Sequence, residues 1–205
     1  HTRYIGDWSS DVCSSDLEAL VRHVLDKQVK ENVIYNEIFL GPHLWSDRPN
    51  DRWERFLNIA SKVADEYEKK YGIYTYFIIV CIRHLGPEKA LEASRFASKV
   101  KDKNVVGFGM AGDETKFNTL DFMRSFVFAK ESGLGTTTHA GEICGAKSVD
   151  EAIKLGVTRV GHGVRSYESE ETIINLLKKN ILLEVCPGSN IALGLYSSLD
   201  DHPIN

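Results

Sequence analysis

Apolar residues recur along the chain in two alternating rhythms. Leu20, Val21, Val24, Leu25 and Val29 are spaced three and four apart, which predicts a helix over 18–31. Val33 to Leu40 then reads as a strand. Gly41 to Asn50, with two prolines, a histidine and a tryptophan, reads as a long loop. A helix capped by Asp51 and running to about Lys70 comes next. Tyr74 to Ile82 (YTYFIIVCI) is continuously apolar, the pattern of a parallel strand covered on both faces. Pro87 suits the first turn of a helix to about Lys101. Val105–Met110, Leu134–Thr138, Thr158–Gly161 and Ile181–Val185 read as further strands. Helices over Thr119–Glu131, Ser148–Leu155 and Glu168–Lys179 separate them, with Ser148 or Asp150 as candidate N-cap of one and Ser169 or a neighbouring acidic residue of the other.

Strict alternation of about six strands with helices implies a parallel sheet with right-handed crossovers. An open doubly wound sheet and a closed barrel both satisfy it. No GxGxxG or GxxxxGK[ST] run follows an early strand, and chemically active residues follow several different strands, which favours the barrel. The expected fold is therefore an α/β, incomplete (β/α)8 TIM-type barrel with about six of eight strands, over 18–205. His1 to Leu17 (HTRYIGDWSSDVCSSDL) has neither period nor the build of a signal peptide, and is expected to be a disordered, non-native, adapter-like tail.

The bulk numbers narrow the function. With 205 residues, 42% hydrophobic and 26% charged, the chain fits one soluble globular unit or most of one. A net charge of −4 without a basic stripe gives no support for nucleic-acid binding, and no apolar run is long enough to span a membrane. Cys13, Cys81, Cys144 and Cys186 form no CxxC pair, so reduced thiols in a cytoplasmic protein are expected, with Cys81 and Cys186 as core fillers.

The candidate chemistry lies at strand ends. His139-Ala140-Gly141-Glu142 follows one strand, and Gly161-His162-Gly163 ends the next. Two imidazoles and a carboxylate at the active edge of a barrel suit metal-assisted hydrolysis. Read singly, each is a strand-end or turn residue; their coincidence makes the case. Ala111-Gly112, after a third strand, can offer a backbone N–H to a flat ligand. Cys186-Pro187-Gly188-Ser189-Asn190 follows another, with Ser189 and Asn190 read as capping residues in preference to supports behind the site residues. His43 and His84 are candidates for the mouth of a pocket, and Asp200-Asp201 is read as solvated or capping.

Four segments, VVGFGMAGDE (105–114), THAGE (138–142), RVGHG (159–163) and LLEVCPGSN (182–190), give the chain a resemblance to the bacterial adenosine deaminases, within the amidohydrolase-like zinc barrels. The resemblance implies that His139 is a zinc ligand, that Glu142 is the proton donor to purine N1, and that His162 stabilises a zinc-bound hydroxide. It further implies that Gly112 contacts N3 through its backbone. One Zn2+ and a small purine nucleoside are the implied cofactor and partner, and hydrolysis of adenosine or deoxyadenosine to inosine and ammonia the implied reaction. Adenine deaminase or another purine aminohydrolase is the nearest alternative, and a non-catalytic purine-binding protein the alternative from another class. The family's opening His-x-His and closing Asp-Asp have no match here, Asp200-Asp201 included, so the chain is expected to be an inactive fragment of an active parent. Gly109 stands where some relatives carry an aspartate.

Overall fold

The computed structural model describes residues 14–45 and 51–204. Residues 1–13 of the expected tail, and Asp51's capping side chain, lie outside the described residues. Helix α1 (Ser14–Lys30) begins ahead of Glu18, because Leu17 extends the stripe of Val21 and Leu25 by one turn; all three are buried in the core.

From there the chain alternates. Strands β1 (Tyr35–Leu40), β2 (Tyr74–Ile82), β3 (Val105–Ala111), β4 (Gly135–Ala140), β5 (Arg159–His162) and β6 (Leu182–Glu184) lie side by side in that order, and every neighbouring pair is parallel. Between and after them run α2 (Asp51–Tyr71), α3 (Pro87–Lys99), α4 (Met123–Glu131), α5 (Ala146–Leu155), α6 (Glu170–Lys178) and α7 (Pro187–Ala192).

The strand order decides between the two α/β architectures. A doubly wound sheet reverses its order at a switch point. Here the order never reverses, so right-handed crossovers place the helices on one face and leave the other concave. The register shows which residues take each face. Ile38, Phe77, Ile79, Phe108, Met110, Ala140 and Val160 point outward into the helix-facing core. Glu37, Phe39, Ile78, Thr137, His139, Arg159 and Glu184 take the concave side.

The sheet is curled. The Arg159 guanidinium on β5 lies 2.6 Å from the Glu37 carboxylate on β1. In a flat sheet, four strand spacings would hold these strands roughly 19 Å apart. Six strands therefore form a half-barrel, a partial TIM-type fold.

Several local expectations change. The helix expected over Thr119–Glu131 opens as a 3-10 turn, Thr119–Phe122, held by an Asn118–Asp121 capping box, before α4. Helix α5 starts at Ala146 on Gly145, so neither Ser148 nor Asp150 is its cap. Ser148 turns instead to Glu114, and Asp150 accepts a bond from Thr172. Ser169 does cap α6, accepting from the Thr172 amide. Asn190 is no cap: it is wholly buried, with its side-chain oxygen 3.1 Å from His202 Nε2. Cys81 is a core filler, whereas Cys186 is exposed on the concave side. His43 packs edge-on against Trp53 and bonds Glu92, inside the structure and not at a mouth. Among the described residues, no helix is long and apolar enough to cross a membrane.

Candidate active site

The parallel register places His139 beside Gly161, and Ala140 beside His162. The His139 ring packs over Gly161, where even a Cβ would meet it only at ordinary contact distance, 3.4 Å. His139 Nδ1 lies 3.0 Å from the carbonyl of Met110 on β3. A carbonyl can only accept, so Nδ1 carries the proton and Nε2 keeps its lone pair. Burial holds the His139 pKa below the ordinary histidine value.

His162 reaches the same place by a different route. Strand alternation would send it to the helix side with Ala140. Its φ of +63° instead turns the chain through the left-handed region, followed by Gly163 at +62°. Such a conformation costs a non-glycine residue about 1–2 kcal/mol. A side chain at Gly163 would meet Leu183 Cδ2 at 2.6 Å, so only glycine fits the second position. The result is a His162 ring centred 4.8 Å from that of His139. Burial, with His139 adding a smaller effect, lowers the His162 pKa to about 4. It is therefore a neutral imidazole at neutral pH. Its Nδ1 is buried with no hydrogen-bond partner.

Glu142 lies on the loop after β4, with Oε2 3.4 Å from His162 Nε2. Burial first, and the negative charge of Glu114 second, raise its pKa. With His162 neutral, this is a polar contact and not an ion pair.

The loop is held by groups the motif reading passed over. One oxygen of Glu114 accepts the Gly141 amide at 2.5 Å and the Ser148 hydroxyl at 2.6 Å. The other accepts the amides of Glu142, Ile143 and Cys144 at 3.1, 2.7 and 2.9 Å. The Arg83 guanidinium, 1% exposed, donates to the His139 carbonyl at 2.9 Å and to Thr119. The amide of Arg165 bonds the Gly141 carbonyl, and its guanidinium bonds that of Ile143. The signals were faint: Glu114 closes the AGDE segment already singled out, and Arg83 directly follows β2.

A hollow of about 430 Å³ opens on the concave face beside the two histidines, bounded by Phe39, Ile78, Gly161 and Glu184 among others. Arg159 bridges Glu37 and Glu184 along it, and Thr137 donates to Glu184. The structure thus brings His139, His162 and Glu142 together, with the two histidines lining the hollow and Glu142 touching His162 without lining it. Gly112 is half-buried just beyond β3, at a φ of +103°, on the same edge of the sheet but not among the residues lining the hollow.

A parallel half-barrel with imidazoles and a carboxyl group at the C-terminal edge of its strands is the arrangement in which TIM-type barrel enzymes build their active sites. The adenosine deaminase family model matches residues 7–205, and the chain belongs to that family, whose members are hydrolases acting on C–N bonds. It is 37% identical over 190 residues to an adenine deaminase of Agrobacterium fabrum, covering 92% of this chain and 58% of that one. It is 34% identical over 201 residues to an adenine deaminase of Mesorhizobium japonicum, covering 97% and 62%. The chain thus spans less than two thirds of the length of these relatives. Among solved structures, an adenine deaminase from Arthrobacter aurescens superposes with a TM-score of 0.85 at 28% identity, over 93% of this chain and 58% of that one. An amidohydrolase from Burkholderia ambifaria with bound Zn shares the fold, with a TM-score of 0.83 at 22% identity over 93% and 54%.

Proposed function

We propose that this chain carries the purine-handling part of a hydrolytic deaminase that replaces the 6-amino group of a purine with oxygen from water and releases ammonia. The observation that carries the reading is the approach of three groups from two strand ends: the His139 and His162 rings 4.8 Å apart, and Glu142 3.4 Å from His162. The motif resemblance implied adenosine as substrate. The relatives named adenine deaminase favour the free base, and adenine is the substrate proposed here.

Glu142 is proposed as the proton donor to the ring nitrogen N1. Water addition at C6 pushes negative charge into the ring, and a proton at N1 relieves it. A carboxyl group with a raised pKa is suited to hold that proton near neutrality. Neutral His162 is proposed to hydrogen-bond the oxygen that adds at C6. Gly112 is proposed to offer its N–H to ring N3.

His139 is proposed as a zinc ligand, because its Nε2 lone pair is free while Nδ1 is committed to Met110. Zinc in such enzymes activates water for attack. Among the described residues, no group of three His, Cys, Asp or Glu gathers to hold a metal, so the donor set here fits one ligand position and not a whole site.

The test is ammonia release by the whole protein that contains this segment, on adenine and on adenosine separately. Adenine is expected to turn over with the higher kcat/KM. Glu142→Gln is expected to lower kcat by about 10²–10⁴ with KM little changed. A whole protein that releases ammonia from neither purine refutes the reading.

A further inference from the structure

Glu114 is a carboxylate only 4% exposed, on the loop after β3, yet it makes no ion pair at salt-bridge distance among the described residues. Its charge is stabilised by hydrogen bonds. Five donors converge on its two oxygens: the amides of Gly141, Glu142, Ile143 and Cys144, and the Ser148 hydroxyl. That fills the roughly four lone-pair sites of a carboxylate, with the Gly141 amide shared between Glu114 and Ser148 Oγ. Four successive N–H groups pointing at one anion form a nest, and a nest of this kind sets the path of the chain that forms it.

The same loop carries Glu142. Its start has two further ties: the Ala140 carbonyl accepts from the Gly163 amide, and Ser148, whose single proton goes to Glu114, accepts from the Gly141 amide at 2.8 Å. Gly141 bends the loop at a φ of +69°. A Cβ there would meet Val149 at 2.6 Å. Within this frame the Glu142 side chain has one anchored backbone from which to reach His162. Nothing else in the described structure satisfies the Glu142 and Ile143 amides.

We propose that Glu114 is a positioning residue, which acts by folding residues 141–144 around its carboxylate and so holding the Glu142 carboxyl group against His162. A second action follows from the same geometry. The Glu114 charge lies close enough to disfavour ionisation of Glu142, so the anchor also helps keep the proton on it. The inference rests on the proposed role of Glu142, but its test does not depend on turnover.

The experiment compares the 205-residue chain with its Glu114→Gln and Ser148→Ala variants by amide hydrogen exchange and by NMR titration of the Glu142 side-chain carboxyl. A glutamine can place its oxygen where three amides converge, while its NH2 group donates to Ser148 and opposes the Gly141 N–H. The variant is therefore expected to fold. The amides of 141–144 are expected to exchange about tenfold faster or more, with those of β2 unchanged, and the Glu142 titration to move to lower pH. Ser148→Ala keeps the anion and is expected to leave the Glu142 titration in place. Exchange at 141–144 within about threefold of the parent chain, or an unmoved Glu142 titration in Glu114→Gln, would overturn the proposal. Released amides together with a whole protein inert on both purines would uphold the anchor and sink the deaminase reading.

Discussion

The curl of the sheet can be measured in solution through one ion pair. Arg159 on β5 and Glu37 on β1 lie 2.6 Å apart, with side chains 26% and 19% exposed. Their Coulomb attraction at that distance is about 6 kcal/mol at an effective dielectric of about 20. Desolvation and partial exposure remove most of it, which leaves a net coupling of about 1–2 kcal/mol, above the range of an exposed surface pair. Arg159→Met, Glu37→Gln and the double variant form a cycle, read by urea unfolding of the 205-residue chain. Arg159→Met alone should be the costliest step, because it leaves Glu37 and Glu184 facing each other across the hollow. The double variant should recover the coupling energy. In a flat sheet the two groups would be roughly 19 Å apart and screened from each other. A coupling below about 0.3 kcal/mol would therefore refute the half-barrel geometry and the hollow with it.

Gly141→Ala should destabilise the chain by about 1–3 kcal/mol, from the left-handed φ and the 2.6 Å approach to Val149, and should broaden the NMR signals of 141–144; unchanged signals would contradict the account of the loop. Ser169→Ala should cost about 1 kcal/mol in chemical unfolding through loss of the α6 cap, and Ser169→Thr should restore most of it. Equilibrium dialysis of the 205-residue chain against Zn2+ should show no stoichiometric tight binding, since the described donors present one imidazole ligand; one ion per chain, lost in His139→Ala, would show that the donor set is larger.

The hydrophobic pattern alone determined the alternation of strands and helices, because the two periods differ and a short, β-branched and aromatic run such as YTYFIIVCI fits a strand covered on both faces. It placed His139, Glu142 and His162 at strand ends for the same reason: a strand's last apolar residue marks the edge where side chains meet solvent. Boundaries were less legible. Leu17 joins α1 only because α1 packs on the core, and Ser148 lies inside α5, which starts two residues earlier on Gly145, with its hydroxyl turned to a buried carboxylate. The tertiary structure decided three further things: the unreversed strand order, the +63° turn that re-aims His162, and the convergence of the 141–144 amides on Glu114. Each brings together groups far apart in sequence, or reverses a side chain against its strand's alternation. A local pattern holds neither kind of information, because it records which residues are buried and not what they are buried against.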